Sequence, residues 1–209
     1  MSEQPVSWHP RTWQKRWQEQ SLPCPHVLDE LREEHASHGT IRRSFVFSYQ
    51  DRSPTEFFIA VMAWGLGTDN RGPARAGRIL QYPGAEQAIG EVMKAARSGG
   101  AAAGYAAYYS GRELPHLGTA FLTKLLHFAA YQQQARPRPL IYDSLVATAA
   151  IRLPGAPLLP STSDGVSTRA YQRYCSWAET TAAALATEPD ILEWALFTLG
   201  SQLRDALKE

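Results

Sequence analysis

The 209-residue chain has little cysteine, little net charge and no long apolar run. Its two thiols, Cys24 and Cys175, cannot supply a four-cysteine iron–sulfur cluster, and no zinc-type cysteine pair occurs. Lys and Arg number 21 against 20 Asp and Glu, a formal charge of +1. A duplex binder is more often clearly basic, so this balance lowers a nucleic-acid reading without excluding it, since positive charge can be confined to one face. The opening Met1-Ser2-Glu3-Gln4-Pro5 lacks the apolar stretch of a signal peptide, and nothing is long enough to span a bilayer. These absences predict a soluble, cytoplasmic, reducing setting and no membrane partner. Repeats, low-complexity tails and long charge blocks are absent too.

What is present is core material. Hydrophobic residues make up 44% of the chain and aromatics 11%, enough for a sizeable interior at this length. One domain is expected over 1–209, with residues 1–52 an N-terminal extension packed on the core. The pattern reads overwhelmingly as helix: 11–20 with Trp13 and Trp17 one turn apart, 25–36, about 73–80, 84–97, 101–109, 166–186 and 189–207. Residues 40–50 fit either a strand or a short helix. Ser53-Pro54-Thr55-Glu56 carries a capping box with proline at the first helical position, and launches an apolar helix through Trp64. Gly99-Gly100 separates two helices, and Leu153–Gly165 is a Pro- and Ser-rich loop. The predicted class is all-α, a compact orthogonal bundle.

One helix carries an unusual charge. Lys124 stands in Leu117-Gly118-Thr119-Ala120-Phe121-Leu122-Thr123-Lys124-Leu125-Leu126-His127-Phe128-Ala129-Ala130. At about 100° per residue, Phe121, Leu122, Leu125, Phe128 and Ala129 form an apolar stripe, with Thr123, Lys124, His127 and Tyr131 opposite. Periodicity alone makes Lys124 a boundary residue whose amine reaches water, and His127 a surface histidine. The alternative aims the amine into an apolar cleft, where desolvation favours its neutral, nucleophilic form, with His127 as a second cleft residue. Downstream, Asp143 ends the extended run Pro139-Leu140-Ile141-Tyr142 and is placed to cap the next helix. A capping carboxylate is rigid and ionised, which suits a group facing a developing oxocarbenium ion. An amine to attack a sugar carbon and a carboxylate to steady the cation are what a glycosylase needs.

The stretch from Leu114 to Asp143 resembles the helix-hairpin-helix DNA glycosylases, specifically the bifunctional 8-oxoguanine type and its smaller bacterial relatives. Leu114-Pro115-His116-Leu117-Gly118 is similar to the family's Leu-Pro-Gly-Val-Gly hairpin, with His116 in place of the first glycine and Lys124 about one turn later than usual. The resemblance implies Lys124 as the Schiff-base nucleophile, Asp143 as its partner, and a phosphate held at the hairpin by Gly118. Trp64-Gly65-Leu66-Gly67-Thr68-Asp69-Asn70, with Arg75 and Arg78 beyond, resembles the family's DNA-facing loop. Glu193-Trp194-Ala195-Leu196-Phe197 is similar to the segment that grips the extruded base, glutamate replacing glutamine. It implies Phe197 and Glu193, with Trp64, as base contacts. An acceptor-only carboxylate matches the N1–H and amino hydrogens of guanine; otherwise Glu193 is an exposed residue near a helix start.

The resemblance covers roughly residues 54–200 and implies an N-glycosylase and β-lyase acting on an 8-oxoguanine-like base in DNA, duplex or single-stranded. No metal or cofactor is implied. Two other readings fit the same residues: a relative repurposed for single strands or a nucleotide, and a non-catalytic binding module.

Overall fold

The computed structural model describes residues 3–157, 160 and 165–206. Met1 and Ser2, residues 158, 159 and 161–164 of the expected loop, and Leu207 of the expected last helix lie outside them. The protein is all-α. Its helices are α1 (Pro10–Glu19), α2 (Pro25–His38), α3 (Arg43–Phe47), α4 (Pro54–Leu66), α5 (Gly72–Leu80), α6 (Ala85–Tyr109), α7 (Thr119–Ala130), α8 (Ser144–Ala150), α9 (Thr168–Ala184) and α10 (Pro189–Ala206). The described residues contain no strand, and only an isolated antiparallel bridge joins Val6 to Ile41. The ambiguous stretch at 40–50 resolves as α3. Among the described residues no helix is long and apolar enough to cross a membrane.

The chain divides into two compact units. One comprises Val92–Gly111 with the chain from Gly118 onward; the other comprises Glu3–Glu91 with Arg112–Leu117. Residues 3–52 thus share the second unit with α4 and α5. That unit is built on α4, where every residue from Phe57 to Trp64 is buried. The capping box forms as expected: Ser53 accepts from the Glu56 amide while the Glu56 carboxylate accepts from Ser53. Trp8 meets Trp13 at a tilt, with centroids 6.0 Å apart, and Trp13 stacks on Trp17 at 5.9 Å.

In the first unit, α10 packs on α8 and α9. The α8 contact is close enough to require glycine: a Cβ at Gly200 collides with the Leu145 carbonyl oxygen and lies 2.6 Å from its carbon. Gly200→Val is therefore expected to displace α8 and cost about 3 kcal/mol in urea unfolding. Gly118→Ala, where an added Cβ meets nothing within 4 Å, serves as the packing control and should cost only about 1 kcal/mol or less, for the poorer N-cap. Helix α6 is interrupted at Gly100 (φ 72°, ψ −159°), where the backbone of Arg136 and Pro137 comes too close for a side chain and Pro137 O accepts from the Ala101 amide. The expected break at the glycine pair is thus a kink between two helical segments.

The most informative packing feature lies along α7. Sequence periodicity assigns it one apolar and one polar face, yet every residue from Phe121 to Ala130 is buried. The polar face is a seam onto which the extended segment 139–143 docks. Thr123 Oγ1 accepts from the Tyr142 amide at 3.0 Å and donates to the Tyr142 carbonyl at 3.2 Å. His127 Nδ1 lies 3.0 Å from Pro139 O, and Tyr131 donates to Asp190 at 2.8 Å. The outer side of the segment is satisfied by α9 and α10: Tyr171 donates to Leu140 O, Tyr174 donates to Ile141 O, and Glu193 accepts from the Ile141 amide at 2.9 Å. Buried backbone groups must be paired, and here side chains of three helices do what neighbouring strands do in a sheet.

Candidate active site

That segment delivers Asp143 to the N-terminus of α8 beside Lys124. Asp143 Oδ1 accepts from the amides of Leu145 (3.1 Å) and Val146 (3.2 Å), while Lys124 Nζ lies 3.1 Å from Oδ2. The carboxylate thus divides its oxygens between the helix cap and the amine. The lysine and aspartate side chains are only 9% and 15% exposed. Lys124 Nζ also sits 5.5 Å from the Phe121 ring centroid, favourable for a partly desolvated cation. The boundary reading, with the amine in water, is corrected: the polar face of α7 has a partner that helix periodicity cannot reveal.

Two opposing influences act on Asp143. Burial, the largest, raises its pKa; the Lys124 charge and the amides of Val146 and Leu145 lower it, and together they hold the carboxyl below its ordinary value. It is an ionised group fixed in position by three donors.

His127 is fully buried, so the surface reading is corrected as well. Its ring packs against Tyr131 at 4.8 Å, and Nδ1 lies 4.0 Å from Glu193 Oε2. Glu193, the other residue with an exposed alternative, is 1% exposed. Its carboxylate is turned onto the Ile141 amide. On the same helix, Trp194 and Phe197 are half-buried and stacked, with centroids 5.5 Å apart and planes 13° from parallel.

The hairpin between α6 and α7 keeps its turn without the glycine. His116 adopts φ 71°, the left-handed region where glycine is the usual occupant, and Leu117 N donates to Leu114 O at 3.1 Å. Holding a non-glycine there costs about 1 kcal/mol. Gly118 is the N-cap of α7 in an extended conformation, φ −78° and ψ 173°. Neither its φ nor its packing demands glycine.

A family model described as "Putative 8-oxoguanine DNA glycosylase OGG-like protein" matches residues 1–197. The chain belongs to this family. No curated protein and no solved structure matches it.

In this OGG-like chain the remaining expected residues lie in the second unit. Asn70, Arg75 and Arg78 line one cleft of about 500 Å³ with Arg16, Arg71 and His116. Arg75 does more than face the cleft: Nε donates to the His116 carbonyl at 2.9 Å, bracing the hairpin turn. Arg16 and Arg71 were not legible as site residues. Arg16 reaches the cleft from the last turn of α1, distant in sequence from the 70–78 loop, and only the packing of α1 on α5 joins them. Trp64 is 3% exposed; its indole N–H donates to Gln4 O at 3.1 Å and the Arg43 guanidinium lies 5.3 Å over the ring. Its polar atom and one ring face are thus engaged within that unit.

Proposed function

We propose that the chain is a DNA N-glycosylase with β-lyase activity that removes a guanine-type, 8-oxoguanine-like base. The observation that carries this reading is the 3.1 Å Lys124–Asp143 pair, largely buried and held between α7 and the cap of α8. An amine meant to meet an extruded nucleotide needs a fixed position, few competing waters and a resident anion nearby.

The steps follow from the two groups. Lys124 gives up its ammonium proton to solvent and the neutral amine attacks C1′. The new C–N bond forms as the glycosidic bond breaks, and the departing base carries away the bonding pair and takes a proton from the newly alkylated nitrogen. Asp143 stays ionised through this step and faces the positive charge that builds on the sugar. The nitrogen lone pair then expels O4′, which takes a proton from solvent, and the opened sugar is left as the protonated imine. Removal of a C2′ proton then expels the 3′ phosphate by β-elimination. The base stacks on half-buried Phe197; the Glu193 carboxylate stays on the Ile141 amide and the Trp64 indole on Gln4 O, so neither is assigned to the base. Asn70, Arg75 and Arg78 hold the strand. Gly118 leaves the first turn of α7 open to a phosphate, a role consistent with a glycine that packing does not require.

A second reading, the same fold turned to single strands or a nucleotide, is favoured by the His116 side chain on the hairpin and the formal charge of +1. One assay separates them. The protein is incubated with labelled 8-oxoguanine and abasic oligonucleotides, duplex and single-stranded, under borohydride, which reduces an imine to a stable adduct. The expected result is an adduct on both duplex lesions. Adducts confined to single strands move the assignment to the second reading. No adduct on any substrate, with circular dichroism showing folded protein, removes lysine imine chemistry and leaves a binding module.

A further inference from the structure

The first unit carries another cleft, of about 790 Å³, whose lining includes Pro157 and the α9 residues Arg169, Gln172, Arg173, Ser176 and Trp177. It shares none of its lining with the Lys124–Asp143 pair. Arg169, Arg173 and Trp177 recur at four-residue spacing, so they occupy successive turns of one helix face. Gln172, Ser176 and both arginines are exposed, and Trp177 is half-buried against Tyr174.

The two arginines of this face are not committed to carboxylates among the described residues. Many other arginines of the chain are committed to carboxylates: Arg42 to Glu34, Arg52 to Glu30, Arg112 to Glu91 and Arg138 to Glu188. Among the described residues Arg169 and Arg173 form no ion pair. The one carboxylate within α9, Glu179, accepts from the Arg138 amide at 2.7 Å and lies near the Arg136 and Arg138 guanidiniums, outside the cleft. Two uncommitted guanidiniums and an indole in line therefore line a cleft without an acidic neighbour among its described lining residues.

We propose that this face binds unpaired nucleotides of a nucleic-acid strand. Arg169 and Arg173 are separated along the helix axis by about 6 Å, of the order of the distance between adjacent phosphodiesters in an unstacked strand. One turn further on, Trp177 offers a platform for a base, which stacks without regard to sequence. Gln172 and Ser176 provide donors and acceptors for sugar and base edges. The linear order of the two cations and the aromatic suits an extended polyanion better than the clustered phosphates of a free nucleotide, which converging cations would hold. This assignment does not depend on the glycosylase chemistry.

The test is fluorescence anisotropy of a labelled oligothymidylate across a salt series, with wild type, Arg169→Gln/Arg173→Gln and Trp177→Leu. Both arginines are exposed and Trp177 is half-buried, and circular dichroism checks that each variant is folded. The double variant is expected to reduce the slope of log affinity against log salt by about 1.4, roughly 0.7 for each phosphate lost, and to weaken binding at least tenfold in low salt. Trp177→Leu should weaken binding roughly 5- to 150-fold with an unaltered slope. Borohydride trapping on an abasic duplex serves as the separate readout and should be unchanged in both, so loss of single-strand binding and failure of the imine chemistry are distinguishable. Wild-type affinity and slope in both variants overturn the proposal. Competition by thymidine monophosphate as effective, per phosphate, as that by the oligomer overturns the strand form and gives the face to a free nucleotide.

Discussion

Lys124→Gln should yield no borohydride adduct on any substrate, and release of the damaged base should slow by roughly 10³-fold or more, as expected for loss of a nucleophile. The substitution also unpairs a buried carboxylate. Removing one partner of a buried pair costs about 3–5 kcal/mol; the low end applies here, because Asp143 keeps the amides of Leu145 and Val146. Lost activity must therefore be separated from lost stability. Lys124→Gln/Asp143→Asn removes the stranded charge along with the amine. It should recover most of the stability in urea titration and none of the adduct. Recovery of both would mean that Lys124 serves the fold alone, and the nucleophile lies elsewhere.

Asp143→Asn divides chemistry from capping in the opposite sense. Asparagine is also a good N-cap, so α8 is retained while the anion beside the sugar is lost. Excision of the base is expected to slow by about 10²- to 10³-fold, because the cation-like transition state forms in that step. Trapping on a preformed abasic site should persist, since the amine is intact and no base must leave. The acid limb of stability should change too. The folded value of Asp143 is depressed, so its contribution is fully present above the unfolded value of about 3.9. It drains away as the pH falls through the lower folded value. The stability advantage of wild type over Asp143→Asn should follow that course and vanish in strong acid. An asparagine variant with wild-type excision rates would falsify the electrostatic role.

The parts of this site legible in the sequence are those fixed by local rules. Ser53 and Asp143 announce helix starts because capping depends on the residues immediately following. Lys124 stands out because a charge amid Phe121, Leu122 and Leu125 is conspicuous at any burial. What the sequence conceals is partnership at a distance. Helix periodicity leaves Thr123, His127 and Tyr131 facing water; they are buried because Tyr142, Pro139 and Asp190 come to them. The exposed alternative for Glu193 fails for the same reason. Arg16 is invisible as a cleft residue until α1 packs on α5. His116 stands where the resembling hairpin has glycine, and histidine holds that turn at φ 71°.

Residues 140–143 have a consequence beyond the placement of Asp143. In a sheet, an extended segment is held by other backbones, which are alike whatever the sequence, and it can present an open edge to a stranger. Here the inner and outer sides are closed by Thr123, Tyr171, Tyr174 and Glu193. The amides of Ile141 and Tyr142 and the carbonyls of 140–142 are taken up, which leaves little edge to template pairing with another chain, the hazard that exposed edges create. The cost is heritability: backbone partners survive almost any mutation, whereas these four are spelled out in the genetic text and can each be lost by a single change.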